Sequence, residues 1–386
     1  MAGKILDWGG LTLWVAGFCA ILILSSLAPD NRSVVPAYRL AAEMFAAGKP
    51  LYNLDLAMGY LYPPAFAALF MPFAKLGPVA GDLLWRLLGF AVLTYAAVRQ
   101  VARLDPGNRV WMLSYGLFLA VPVAAGALRN GQATVLLTGA CWLLVLSALE
   151  GRRAETLLWA TLALIAKPTA IVVLLLTGAL RPKLIPTLLL SVLLLLLLPY
   201  AFAPAGYVNQ LYGDFSKLMT SMSFDRSKAF EPADFTAPFA AMGVPLSENL
   251  ATGIRIVAAF ATLWLVVWYD RNLDRQFSGL AVFLAAAFYM CIFNPRVEHN
   301  TFIMLALPAG VAIAVMWENG SRGALHAVLA ILLFLSGLTG LFEQVHDLIR
   351  LWFRPIIMTV ITLPLLWWFR ASSRSQSRLS RLDTHA

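Results

Sequence analysis

Leu162-Ala163-Leu164-Ile165-Ala166-Lys167-Pro168-Thr169-Ala170-Ile171-Val172 sets a lysine and a proline inside an otherwise apolar run. Apolar stretches recur on both sides of it, at Leu11–Ala28, Leu83–Val98, Val110–Leu128, Thr134–Leu149, Leu184–Phe202, Ile254–Tyr269, Phe277–Phe293, Phe302–Trp317, Leu325–Phe342 and Pro355–Phe369. Each approaches the roughly 20 residues that carry a helix across a bilayer. Sixty per cent of the 386 residues are apolar and only 13% are charged, against about 25% charged in a soluble domain. Mean hydropathy is +0.76. In hydrocarbon each backbone polar group must be satisfied within its own segment, which makes such runs helical. The fold class is therefore all-α: a polytopic transmembrane helical bundle of about ten full spans, with shorter segments that dip in without crossing.

The quoted stretch is one of those dips. Proline removes a backbone donor and disfavours helix at the residue before it. Glu155–Leu180 is thus expected as two half-helices broken at Lys167-Pro168. A lysine at that depth is costly unless it is paired or watered. Pro63–Gly77, bounded by Pro63, Pro64, Pro72 and Pro78, is expected to stop short of crossing as well. With these two concessions the short basic loops fall on one side: Arg99/Arg103/Arg109, Arg152-Arg153, Arg181/Lys183, Arg271/Arg275 and the tail from Arg370. Short basic loops favour the cytoplasm. Both termini are then cytoplasmic, in a cell (inner) membrane protein. Residues 1–369 form one membrane domain, with a first outer loop over 30–82 and a large one over 203–253. Residues 370–386 are a basic cytoplasmic tail expected to lie disordered on anionic lipid.

Other classes are excluded or weakened on composition. The net charge of +9 is scattered among segment ends with no compact basic domain, so no nucleic-acid partner is expected. Cys19, Cys141 and Cys291 all lie in apolar runs and have no metal-ligand spacing, so neither a disulfide nor a metal is expected. Leu11–Ala28 is long for a signal peptide and is read as an uncleaved first helix. No Walker loop, GxGxxG, HExxH or GxSxG is present, and no cofactor is expected. Internal repeats of the kind built into many transporters are not visible.

What remains polar gathers on the expected outer side. Tyr38-Arg39-Leu40-Ala41-Ala42-Glu43-Met44-Phe45 has the spacing of an interfacial amphipathic helix ending at Gly48, followed by Tyr52, Tyr60 and Tyr62; Lys49 and Asp55 share the segment. Arg129-Asn130-Gly131-Gln132 interrupts two apolar runs, as a helical hairpin needs, and Arg129 and Gln132 add donors suited to an anionic or hydroxylated ligand. Lys167 calls for a phosphate or carboxylate partner. Asn294-Pro295-Arg296-Val297-Glu298-His299-Asn300 brings arginine, glutamate and histidine together between two spans, a set suited to a phosphoryl group or a leaving group. In the large outer loop, Asp214, Asp225, Arg226, Glu231 and Asp234 match no motif.

Gly48-Lys49-Pro50-Leu51-Tyr52, Tyr60-Leu61-Tyr62-Pro63-Pro64-Ala65-Phe66, Met71-Pro72-Phe73, Gly77-Pro78 and Trp85, with Asn130-Gly131-Gln132, Ala166-Lys167-Pro168 and Asn294–Asn300, together resemble glycosyltransferase family 87. These are C-type, multi-helix membrane enzymes that include polyprenol-phosphate-dependent mannosyltransferases. The resemblance implies a hexosyltransferase that takes sugar from a polyprenyl-phosphate donor to a hydroxyl of a lipid or glycan acceptor at the extracytoplasmic face. The implied catalytic set is Asp30, Glu43 and His299. The implied substrate and phosphate set is Arg39, Tyr52, Tyr62, Arg129, Asn130, Gln132, Lys167, Arg296 and Glu298. One departure stands out. The family usually carries an aspartate four residues before the tyrosine that matches Tyr38, and this chain has Val34 there. Either Asp30 serves, or another carboxylate does, or the chain binds lipid-linked sugar without transferring it. A lipid or sugar transporter or flippase is the remaining alternative.

Overall fold

Proline and glycine punctuate the chain into helices that follow the apolar runs. The computed structural model describes residues 2–52, 60–104, 108–224, 233–339, 349 and 351–383, and no strand occurs among them. Asp55, Asp225, Arg226 and Glu231 lie outside the described residues. In chain order the helices are α1 (Ala2–Leu27), α2 (Val35–Ala46), α3 (Pro64–Lys75), α4 (Gly77–Ala102), α5 (Arg109–Asn130), α6 (Ala133–Leu149), α7 (Arg153–Ala166), α8 (Ile171–Leu180), α9 (Ile185–Leu197), α10 (Ala205–Phe224), α11 (Ala237–Ala241), α12 (Glu248–Asn272), α13 (Arg275–Ile292), α14 (Ile303–Glu318), α15 (Ala324–Leu338) and α16 (Phe353–Asp383). Among the described residues, eight helices are long and apolar enough to cross a membrane: α1, α4, α5, α12, α13, and α9, α14 and α16 within the stretches Pro182–Ala201, His299–Glu318 and Phe353–Ser372. The protein is a multi-pass membrane protein. Ala133–Leu149 and Ala324–Leu338, where two further spans are expected, are shorter apolar helices.

The bundle is organised around α6, α13 and α14. All of α6 but its last residue is buried, as is nearly all of α14, so these two are apolar on every side. Small residues let the backbones close up: a Cβ on Gly310 of α14 would come within 2.4 Å of the Gly116 carbonyl oxygen of α5. By contrast α12 turns Val257, Phe260 and Trp264 outward, as a lipid-facing helix does.

Both expected dips are present. Helix α7 ends at Ala166, Lys167 is extended (φ −155°, ψ 131°), and a single 3₁₀ turn, Pro168–Ala170, leads into α8. The two half-helices begin and end at the same end of the bundle. Thr156, near the start of α7, donates to Ser147 Oγ near the end of α6 (3.3 Å). Arg181, just past α8, pairs with Asp270 in the last turn of α12 (2.6 Å). Helix α3 spans 12 residues, or about 18 Å, too short to cross.

Two segments differ from the sequence reading. The expected large loop over 203–253 contains two helices, α10 and α11, and the start of α12. Val208, Leu211 and Leu218 of α10 are buried at helical spacing, but the helix is too polar on its other faces to register as an apolar run. At the other terminus α16 continues past Phe369 through the polar tail to Asp383.

Candidate functional site

Helix direction sorts the loops into two ends. One, the Glu150 end, gathers the basic loops: Arg99 and Arg103 of α4 meet Glu150, and Arg103 also donates to the Arg275 carbonyl. The other, the Gly131 end, gathers nearly every polar residue singled out above, and its frame is the α5–α6 hairpin. Gly131 closes α5 in the left-handed region (φ 69°), as a glycine C-cap does. A side chain there would also meet Val35 Cγ2 at 2.3 Å. Asn130 Oδ1 is buried without a hydrogen bond among the described residues, while its backbone carbonyl accepts from Val34 N–H (3.0 Å). The hairpin thus holds the first loop by main chain.

Helix α4 supplies the wall. Trp85 Nε1 donates to the Gly131 carbonyl (2.8 Å). Arg86, buried, donates to Ser33 Oγ (2.8 Å), the Arg129 carbonyl (3.0 Å) and the Asp82 carbonyl (3.3 Å). Across from them α2 presents Tyr38, fully buried, whose hydroxyl lies 2.6 Å from that of Tyr62 and accepts from Ala133 N–H (3.3 Å). Tyr52 Oη donates to the Tyr62 carbonyl (2.9 Å). Burial pushes the Tyr38, Tyr52 and Tyr62 hydroxyls well above the usual phenol range. They act as neutral hydrogen-bonding groups, not as bases.

The 294–300 loop approaches from the far side. Glu298 caps the turn His299–Phe302 reciprocally with Thr301, and its Oε2 accepts from Gln132 Nε2 (2.5 Å). Glu298 therefore ties this loop to the α5–α6 hairpin. A second clamp was not legible as a motif. Asp234, fully buried, accepts from Arg255 (2.7 Å), from Thr236 N–H (2.9 Å) and from Thr236 Oγ1 (2.5 Å). Arg255 also donates to the Phe293 carbonyl, and Ala233 N–H donates to the Val297 carbonyl (2.9 Å). Arg296 reaches away to α10, where it meets the Met219 carbonyl and sulfur (both 3.2 Å).

Lys167 approaches the same end from within the bundle. Helices α6 and α7 are antiparallel, joined by a turn at Gly151. Counting along both from the Ser147–Thr156 contact brings Lys167 level with Leu136, about one helical turn below Gln132. Lys167 is half-buried and its ammonium has no hydrogen bond or ion pair among the described residues; Arg129 is likewise half-buried and its guanidinium unpaired among them.

The expected catalytic carboxylates fare unequally. Asp30 is 79% exposed and sits 3.5 Å from Arg39 at the rim. Glu43 stands on the exposed face of α2, opposite the buried Tyr38, Ala42 and Phe45, and is not brought to the site. His299 lies in the loop, half-buried, with its carbonyl accepting from Arg354 (2.7 Å). Three polar residues of this end were missed: Asp82, buried 4.0 Å from Arg39, Arg86 and Arg354. A signal for the first two was present, since Asp82 and Arg86 are an i, i+4 charge pair near the start of a membrane helix, where a lipid-facing charge is not tolerated. No cluster of three or more His, Cys, Asp or Glu side chains suited to a metal occurs among the described residues.

The model of glycosyltransferase family 87 matches residues 60–295. The match takes in Tyr62, the α5–α6 hairpin and Lys167. It leaves Asp30, Arg39, Glu43, Tyr52 and the Arg296–His299 segment outside. Neither a curated protein nor a solved structure matches the chain significantly.

Proposed function

This chain belongs to glycosyltransferase family 87, and we propose that it transfers a sugar from a polyprenyl-phosphate donor to an acceptor hydroxyl at the extracytoplasmic face. The observation that carries the reading is Lys167: a half-buried cation with no anionic partner among the described residues, at a break between two half-helices. Such a charge is retained at membrane depth when its partner is a ligand. Arg129 adds a second cation of the same kind. The orientation follows from the basic loops. Arg99, Arg103, Arg152, Arg181 and Arg275 share the Glu150 end, which is then cytoplasmic, so the Gly131 end faces out. Ten crossings and two dips satisfy this arrangement.

In the proposed reaction the acceptor oxygen attacks the anomeric carbon of the donor sugar. Its bond to phosphate breaks, and polyprenyl phosphate leaves with the electron pair. Lys167 and Arg129 offset the charge that builds on the departing phosphate. The acceptor proton passes to a carboxylate acting as general base. Asp30, open at the rim, and Glu298, inside and held by Gln132, both have the exposure for it. Asp82 is enclosed. The Tyr62 hydroxyl, held by the buried Tyr38, orients sugar or acceptor hydroxyls as a neutral donor or acceptor. A second reading, a relative that binds the donor without transfer, is favoured by Val34, whose backbone is fixed on Asn130 but whose side chain brings no carboxylate.

Membranes containing the protein, given radiolabelled polyprenyl-phosphate hexose and acceptors, test this. Transfer that is lost in Lys167→Ala and in either Asp30→Asn or Glu298→Gln is the expected result. Binding of donor without transfer in the wild type establishes the second reading, and flipping or uptake without transfer contradicts both.

A further inference from the structure

We infer that Arg354, at the start of α16, is an anion-binding residue of the Gly131 end that takes a phosphate oxygen of the lipid-linked donor; the inference rests on the donor reading above. The sequence gives no hint of it, because Arg354 falls in a short polar stretch between two apolar runs. Its burial and partners single it out. Arg354 is 3% exposed, yet its side chain makes one hydrogen bond, from Nη1 to the His299 carbonyl (2.7 Å), and its Nε is buried without an acceptor among the described residues. A guanidinium has five donors and cannot shed its charge by deprotonation.

Arginines buried elsewhere at this end have more acceptors, although Arg86 Nε is likewise buried without one among the described residues. Arg86 has three oxygen acceptors around it. Arg255 has the Asp234 carboxylate and the Phe293 carbonyl. No carboxylate among the described residues lies within ion-pair distance of Arg354. Burying a charge without a counter-ion is costly, and a planar fork with donors to spare suits a phosphate, which it can grip at two oxygens. Position agrees. The turn His299–Phe302 that Arg354 holds packs on the end of α5, where a Cβ on Gly126 would come 3.2 Å from Asn300 Oδ1, one turn before Arg129. Arg354 is enclosed in the unliganded chain, so a phosphate reaches it only where this turn and α16 part, beside the loop that carries Glu298 and His299.

The test uses the purified full chain in detergent, with thermal unfolding titrated by farnesyl phosphate, farnesol and inorganic phosphate. Farnesyl phosphate is expected to protect the wild type, and farnesol is not. Arg354→Gln is expected to weaken that protection at least about ten-fold. Arg354→Lys, which keeps the charge but not the fork, is expected to weaken it about three-fold or more, and carries the test should the glutamine variant not fold. Arg354→Lys binding farnesyl phosphate as tightly as the wild type overturns the inference. So does equal protection by inorganic phosphate, which makes free phosphate the ligand. Protection lost in Lys167→Ala but kept in both Arg354 variants overturns Arg354 alone and leaves the donor reading standing. No protection of the wild type overturns both.

Discussion

The two ends of the bundle use the same residue types to opposite effect. At the Glu150 end four arginines are matched by carboxylates. Glu150 alone accepts from Arg99, Arg103 and Arg152, Glu155 joins Arg99 and Arg152, and Arg181 meets Asp270. At the Gly131 end Lys167, Arg129 and Arg354 have no carboxylate partner among the described residues. The Glu150 end ties helix termini together, and its ion pairs are complete in the protein alone. The Gly131 end leaves these three cations without a carboxylate among the described residues. The lesson is that a charge count cannot separate structure from function in a membrane protein, whereas the partner of each charge can.

This contrast can be broken by substitution. Lys167→Ala is expected to have the largest effect, lowering transfer by about 100-fold while leaving the melting temperature unchanged or raised, because it removes an uncompensated charge. A variant that melts well below the wild type makes Lys167 structural and erases the distinction. Glu150→Ala is the converse. It leaves Arg103 without a carboxylate and Arg99 and Arg152 with Glu155 alone, and is expected to cost about 1 kcal/mol by denaturant unfolding with transfer per folded molecule retained. Glu298→Gln keeps the turn but loses the ionised acceptor, and transfer is expected to fall about ten-fold, with a smaller change in stability of about 1 kcal/mol. Glu43→Gln, on the exposed face of α2, is expected to change transfer less than about two-fold in the same assay. A large loss there would mean that α2 rotates to bring its outer face inward.

Much of the fold follows from hydropathy and proline alone, because the bilayer permits few alternatives to helix. The break at Lys167-Pro168 and the short α3 are local consequences of proline, so they are legible. Helix α10 was not, since an interfacial helix buries one narrow face and reads as loop in any apolar window. The site was legible where a polar residue interrupts an apolar run, as at Asn130–Gln132 and Lys167. Residues that act through distant partners were not: Asp234 is ordinary in sequence and becomes a clamp only when Arg255 and the 293–297 backbone arrive. Asp30 and Glu43 are carboxylates that flank Val34 along the chain, and only the fold reveals that one lies at the rim and the other faces away.

The proposed site depends most on which end of the bundle faces out. Single cysteines placed at Glu43 and at Arg152, in a chain whose Cys19, Cys141 and Cys291 are replaced by serine or alanine, would be exposed in intact cells to a membrane-impermeant thiol reagent. Labelling of position 43 before permeabilisation, and of position 152 only after it, is the predicted result. The reverse pattern would place the uncompensated cations in the cytosol and contradict the proposed site.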